Sequence, residues 1–136
     1  MAKLMHLRPM LDVPDLTGTI EFWTGVFGFT LTARFDDDKG RPVWCEVERD
    51  GVAVMFTSHY HDDPSDHDGD GEPHAAQLTG SLYVNVDDVD ALAEELSGKV
   101  PFLYGPTTMD HGMREVAVRD NSGYTLVFGQ PAGTRQ

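Results

Sequence analysis

Carboxylate, aromatic and thioether side chains recur at alternate positions in several strand-like segments of this 136-residue sequence. Because residues two apart in a strand point to the same face, Trp44 lies beside Glu46 and Tyr83 beside Asn85. His111 could stack on a planar ligand. Such a surface suits a flat, partly cationic molecule, since apolar walls give affinity and a few polar groups give orientation. The residues predicted to contact this ligand are Met10, Trp44, Glu46, Met55, Tyr83, Asn85, His111 and Glu115.

A purely structural interpretation explains the same residues. Trp44 and Met55 could be ordinary core side chains, and Glu46 and Glu115 could be partly exposed strand residues that pair with arginines. The arginines available for such pairs are Arg8, Arg114 and Arg119.

Catalytic chemistry has little support in the sequence. Alternation turns Cys45 toward the helix side of its strand, which favours a small buried apolar residue over a reactive thiolate. His111 and Glu115 could form a general acid and base pair, but no feature of the sequence identifies a substrate. We therefore assign no catalytic residue.

An acidic segment in the middle of the chain contains a partial calcium motif. Asp66, Asp68 and Asp70 alternate and are followed by Gly71, as in the opening of a calcium loop. Gln77 stands where a bidentate glutamate is needed, and no helical pattern flanks the motif. The segment is predicted to be a solvated linker. Adventitious nickel or zinc binding could involve His59, His61, His67 and His74.

The chain contains two related halves. Residues 13–16 recur at 86–89 with an offset of 73 positions, and residues 51–56 recur at 123–128 with an offset of 72. Two distant matches at nearly the same offset indicate two copies of one supersecondary unit.

Each copy is predicted to contain a strand, a helix and three further strands. Asp15 and Asp88 are candidate helix N-caps, the helices are expected to stop near Gly28 and Gly98, and the last two strands of each copy should form a hairpin. The predicted fold is α+β, a single domain over residues 1–136 with two tandem βαβββ modules in a cupped, mostly antiparallel sheet. The modules span about 4–58 and about 79–131, with an acidic linker at about 59–78. The predicted strands are about 7–13, 30–35, 43–49 and 52–57, then 82–86, 102–104, 114–119 and 124–128.

Composition limits the partners and the compartment. With 10 Lys and Arg against 23 Asp and Glu, the formal net charge is −13, which argues against nucleic acid. The sequence has neither a signal-peptide pattern nor an apolar run that approaches a membrane span, and its one cysteine fits a reducing compartment. We expect a cytoplasmic protein with no nucleic-acid or membrane partner.

Two segments resemble the vicinal-oxygen-chelate superfamily, which includes glyoxalases, bleomycin-resistance proteins and dioxygenases. "RPMLDVPDLTGTIEFWTGVFGF" is similar to the opening of its members, and "HGMREVAVRDNSGYTLVFGQ" to the ending common in the bleomycin-resistance branch. The resemblance covers both halves and leaves out the acidic insert. It implies the doubled βαβββ fold and a homodimer with clefts where the first half of one subunit meets the second half of the other.

The resemblance also implies where metal ligands would lie in the metal-dependent members, on the first and last strands of each unit. Those positions are Arg8, Met55, Ser81 and Val127 here, where the metal enzymes carry His, Gln or Glu. Arginine stays protonated, and methionine and valine offer no hard oxygen or imidazole donor. We therefore expect no metal site and no cofactor.

These observations favour a non-enzymatic protein that binds and sequesters a small antibiotic-like, bleomycin-type ligand. The alternative is a metal-dependent glyoxalase-like lyase or an extradiol-type dioxygenase whose ligands lie in a different register.

Overall fold

The computed structural model describes residues 1–58 and 78–132, and the chain divides into two compact units, 1–75 and 76–136. Each unit contains one helix and one four-stranded sheet. The predicted α+β fold with two βαβββ modules is confirmed. The partial calcium motif and the four histidines near it lie outside the described residues.

The first unit follows the predicted order of elements. Strand β1 is Met10–Val13, helix α1 is Leu16–Gly25, and strands β2, β3 and β4 are Thr30–Asp36, Pro42–Arg49 and Val52–Ser58. The sheet order is β1-β4-β3-β2, with β1 parallel to β4 and the other pairs antiparallel. The sheet is therefore mixed, and helix α1 connects β1 at one edge of the sheet to β2 at the other edge.

Helix α1 is fixed at both ends by its own sequence. The Asp15 carboxylate accepts a hydrogen bond from the Gly18 N–H at 2.9 Å, which confirms the predicted N-cap. The helix ends at Gly25, and the Phe29 N–H then donates to the Trp23 carbonyl at 3.0 Å, with Gly28 at φ +75°. The fully buried Trp23 contacts Phe27, Phe29 and Phe56 edge-on, with ring centroids 5.0 to 5.1 Å apart.

The second unit repeats the order of the first. Strand β5 is Leu82–Asn85, helix α2 is Val89–Leu96, and strands β6, β7 and β8 are Phe102–Thr108, Met113–Arg119 and Thr125–Pro131. The sheet order β5-β8-β7-β6, with β5 parallel to β8, matches that of the first unit. The Asp88 carboxylate accepts from the Ala91 N–H at 3.0 Å, which confirms the second predicted N-cap.

Both predicted hairpins are present. Asp50 and Gly51 connect β3 to β4 with φ values of +53° and +87°, the left-handed pair that a tight two-residue hairpin turn requires. In the second unit, the Asp120 carboxylate accepts from the Ser122 and Tyr124 N–H groups, both at 2.9 Å, and orders the turn between β7 and β8.

Three predicted strand limits were wrong, and one of them is the end of β8, which lies at Pro131 rather than near residue 128. The first strand begins at Met10 rather than near residue 7, because Pro9 has no N–H to donate to a ladder. Strand β6 continues to Thr108 rather than stopping at Tyr104. The register shifts on either side of Tyr104, so Gly105 and Pro106 have no partner on β7 but the pairing of β6 with β7 resumes at Thr107. Within the described residues, neither helix is long and apolar enough to cross a membrane.

Candidate functional site

Each sheet has one face under its helix and one face without a helix, which we call the open face. In the first unit, Cys45, Val47, Val54 and Phe56 are buried on the helix side, where α1 contacts β3 and β4. Alternation therefore places the intervening residues on the open face. Burial raises the pKa of the Cys45 thiol to about 11, so it is not an activated nucleophile.

The open face of the first unit carries four of the predicted ligand-contacting residues in two cross-strand rows. One row pairs Met10 with Met55 and Met55 with Glu46. The next row pairs Thr57 with Trp44 and Trp44 with Phe35. The structure thus brings together Met10, Trp44, Glu46 and Met55.

Glu46 lines a polar groove on this face. Its carboxylate forms an ion pair with Arg8, and the Thr32 hydroxyl is 3.1 Å from the Glu46 carbonyl and 3.3 Å from the second carboxylate oxygen. This is the arginine pairing that the structural interpretation offered for Glu46. The groove has a volume of about 350 Å³, and its lining residues are His6, Leu7, Arg8, Thr32, Glu46, Glu48, Gly51 and Ala53.

The open face of the second unit carries the other four predicted residues. Tyr83 pairs with Val127, and Val127 pairs with Ala117. In the adjacent row, Asn85 pairs with Gly129 and Gly129 pairs with Glu115. The strand register therefore places Tyr83, Asn85 and Glu115 on one face, and His111 adjoins them because its Nε2 lies 3.1 Å from a Glu115 carboxylate oxygen.

Glu115 is buried and accepts three side-chain hydrogen bonds. One oxygen accepts from the Tyr104 hydroxyl at 2.8 Å; the other accepts from the Tyr83 hydroxyl at 2.8 Å and lies 3.1 Å from His111 Nε2. The residue is only 4% exposed, whereas Tyr83 is 45% and Tyr104 38% exposed. The structural interpretation of Glu115 as a partly exposed residue paired with an arginine is wrong, because two phenols and an imidazole hold it instead.

Tyr104 was missed by the sequence analysis, although it lay within a predicted strand. Its register is shifted on both sides, so counting alternate residues could not place it on the face that carries Glu115. Gly129 was missed as well. A Cβ atom there would lie 2.1 Å from the Tyr83 hydroxyl oxygen, so the absence of a side chain lets the Tyr83 ring cross β8.

The ionisation of this cluster follows from its contacts. Burial acts to raise the pKa of Glu115, but the hydrogen bonds from Tyr83, Tyr104 and His111 outweigh it, and the pKa lies below its ordinary value. Burial and the hydrogen bond to Glu115 raise the pKa of Tyr83 to about 12, and the same causes raise the pKa of Tyr104. An ionised carboxylate under two neutral phenols is therefore the stable state.

The positions that the resemblance assigns to metal ligands do not fit a divalent ion. In the first unit they hold Arg8, whose guanidinium is paired with Glu46, and the thioether of Met55. In the second they hold the Ser81 hydroxyl and the aliphatic Val127. Within residues 1–58 and 78–132, no three His, Cys, Asp or Glu side chains converge as a metal ion would require. The chemistry of these four side chains therefore argues against a divalent metal ion at these positions.

Comparison with known proteins identifies the family. Residues 3–128 match the Glyoxalase/Bleomycin resistance protein/Dioxygenase superfamily, so the chain belongs to that superfamily. No curated protein sequence matches it significantly.

Solved structures share the fold at low sequence identity. An antibiotic binding protein, TnmS3 from Streptomyces sp. CB03234, is 20% identical with a TM-score of 0.63, covering 96% of this chain and 99% of that one. The bleomycin-binding protein of Streptomyces verticillus, complexed with copper(II)-bleomycin, is 24% identical with a TM-score of 0.59, covering 98% and 100%. A lactoylglutathione lyase from Agrobacterium tumefaciens is 17% identical with a TM-score of 0.68, covering 95% of each chain.

Proposed function

We propose that this protein binds a small planar, cationic, antibiotic-like molecule and sequesters it without changing it chemically. The observation that carries the proposal is the open face of the second unit, where two half-exposed phenol rings lie over a buried, ionised carboxylate. Exposed aromatic rings provide apolar and cation–π contact, and a nearby negative charge strengthens the attraction of a cation.

The first unit adds a second surface of the same character. Met10 and Phe35 are 58% and 63% exposed on its open face, on the two edge strands, and Met55, Glu46 and Trp44 lie in the rows between those edges. Exposed large apolar side chains on a sheet face are typical of binding surfaces. The net charge of −13 favours cationic ligands over anionic ones for the chain as a whole.

Two neighbours in the fold comparison support antibiotic binding as the kind of function. One is described as an antibiotic binding protein and the other as a bleomycin-binding protein in complex with its drug. For the assembly we propose a homodimer. Light scattering on the purified protein tests it, and a mass equal to one chain of 15.0 kDa would contradict it.

Calorimetric titration of the full-length protein with metal-free and copper-loaded bleomycin tests the binding proposal. We expect saturable heat, and we expect mass spectrometry to recover the drug unmodified after prolonged incubation. Absence of heat at high micromolar protein would remove the bleomycin assignment. A covalently altered drug would replace sequestration with catalysis.

The second candidate is a metal-dependent lyase or dioxygenase, and the lactoylglutathione lyase among the structural neighbours favours it. Elemental analysis of tag-free protein separates the two. Sequestration predicts substoichiometric metal, because Arg8, Met55, Ser81 and Val127 cannot ligate it together. One tightly held nickel, zinc, iron or manganese ion per subunit would favour the enzyme. A deletion of residues 59–77 serves as the control for metal held by the histidine-rich insert.

A further inference from the structure

We infer that Glu115 orients the hydroxyl groups of Tyr83 and Tyr104 so that the open face of the second unit selects ligands that donate N–H hydrogen bonds. The inference rests on the proposed binding function and deepens it, because it names the chemistry that the site prefers. The preferred ligand is a planar molecule bearing an amidinium, guanidinium or other N–H group, and isosteric molecules that present only acceptors are disfavoured.

The charge of Glu115 fixes the direction of its hydrogen bonds. An ionised carboxylate has no proton to give, so every bond to Glu115 must be donated by its partner. Both phenol protons and the His111 Nε2 proton therefore point at the carboxylate. A phenol that has committed its one proton can only accept a further hydrogen bond.

A ligand on the open face meets the two phenols. Tyr83 and Tyr104 are 45% and 38% exposed as whole residues, so a molecule that lies on the open face can contact their rings. The inference requires that such a molecule also reaches the remaining acceptor position of each hydroxyl oxygen. The two hydroxyl oxygens are bonded to different oxygens of the same carboxylate. An amidine or guanidine carries several N–H groups, so it can donate to one or to both of these acceptors.

The packing around Tyr83 and Glu115 holds this arrangement in place. Gly129 leaves the space through which the Tyr83 ring reaches Glu115, since a Cβ there would meet the hydroxyl oxygen at 2.1 Å and the ring at 2.6 Å. The buried carboxylate cannot exchange its donors for water, because only 4% of Glu115 is exposed. The acceptor character of the two phenols is therefore built into the fold before any ligand arrives.

A pair of probes of the same shape tests the inference. We would titrate 2-naphthamidine and 2-naphthoate into the ¹⁵N-labelled full chain at neutral pH and follow amide chemical shifts. The amidine should bind at the second unit, and about tenfold more tightly than the carboxylate, because a charge-assisted hydrogen bond contributes at least that factor. In Glu115→Gln the preference for the amidine should fall about tenfold. The new amide N–H can donate to one phenol oxygen, and the proton of that phenol is then free to point toward the ligand.

The matched control is Glu94→Gln. It removes one carboxylate from the same unit, but Glu94 is an exposed residue of the helix that covers the other face of the sheet. It should keep the full preference for the amidine.

A neutral pair separates hydrogen-bond direction from charge. Indole and benzofuran have the same shape, but indole donates an N–H where benzofuran offers only an acceptor oxygen. Indole should bind more tightly to the wild-type chain, and the difference should vanish in Glu115→Gln. Should Glu115→Gln fail to fold by circular dichroism, the double variant Tyr83→Phe with Tyr104→Phe removes both acceptor oxygens and should abolish the same difference.

The outcomes distinguish this inference from the proposed function. Equal affinity for indole and benzofuran, or a preference that survives in the variants that fold, would overturn the inference while bleomycin binding could still stand. If neither bleomycin nor any of the four probes binds, both the inference and the binding function fail.

Discussion

The Tyr83 ring lies directly over Gly129 on the neighbouring strand, and that crossing carries its hydroxyl to the buried Glu115 carboxylate. The two residues act together, since the phenol can follow this path only where the strand bears no side chain. Tyr83 and Glu115 also form the core of the proposed binding surface. Changes at Gly129, Tyr83 or Glu115 should therefore alter stability, titration or ligand binding in ways that can be measured.

Gly129→Ala should destabilise the protein by about 1–3 kcal/mol, the usual range for an overpacked site, because the new methyl group would meet the Tyr83 hydroxyl and ring. Chemical denaturation measures the loss. Gly80→Ala is the matched control, since a Cβ at Gly80 meets nothing within 4 Å. Adding Tyr83→Ala should make Gly129→Ala nearly neutral. A fully additive double variant would contradict the packing argument.

The phenol of Tyr83 should titrate at unusually high pH. Its pKa is raised to about 12 by burial and by the hydrogen bond to Glu115, compared with about 10 for a free phenol. The associated stabilisation is therefore complete below about pH 10 and is lost as pH rises through about 12. Difference absorbance of the phenolate, with Tyr83→Phe to identify the signal, measures this value. In Glu115→Gln it should move toward 10, and an unchanged value would show that the carboxylate has no part in the shift.

Acid should weaken the second unit through Glu115. The pKa of this carboxyl is lowered in the folded chain, so its contribution to stability is present above its ordinary pKa of about 4.3 and is lost as pH falls through the folded value. Urea unfolding at a series of acidic pH values should show a steeper loss for wild type than for Glu115→Gln. Glu94→Gln should lose unfolding free energy with falling pH as steeply as the wild type. An equally steep loss in Glu115→Gln would contradict the prediction.

Trp44→Ala should weaken bleomycin binding by about 1–3 kcal/mol if the indole stacks on the drug, which is the usual range for one aromatic contact. Trp44 lies on the open face of the first unit, paired with Phe35 and Thr57. Calorimetry measures the loss, and Trp44→Phe, which keeps an aromatic face, should recover part of it. An affinity unchanged by Trp44→Ala would place the drug elsewhere.

The local elements could be predicted from the sequence because short-range chemistry decides them. Asp15 and Asp88 cap their helices as expected, and Asp50 with Gly51 forms the expected turn. Strict alternation assigned Glu46 and Cys45 to opposite faces, as observed. These features depend on residues no more than a few positions apart.

The partners of Glu115 could not be predicted in the same way. The position of Tyr104 depends on two register shifts in β6, and the reach of Tyr83 depends on an empty position on β8. Both are relations between strands that lie far apart in sequence. Composition and periodicity do not contain this information, so neither the burial of Glu115 nor its hydrogen bonds from the two phenols could be predicted.

The two sheets have the same strand order, but their acidic residues do not correspond. In the first sheet one cross-strand row consists of Glu46, Met55 and Met10. The equivalent row of the second sheet consists of Ala117, Val127 and Tyr83, so Ala117 stands where the first sheet has Glu46. Glu115 instead occupies the place of Trp44, one row further along its strand. The internal pseudo-symmetry of the backbone is thus broken in its charges, so the open face of each unit, taken by itself, offers a ligand a different chemical environment.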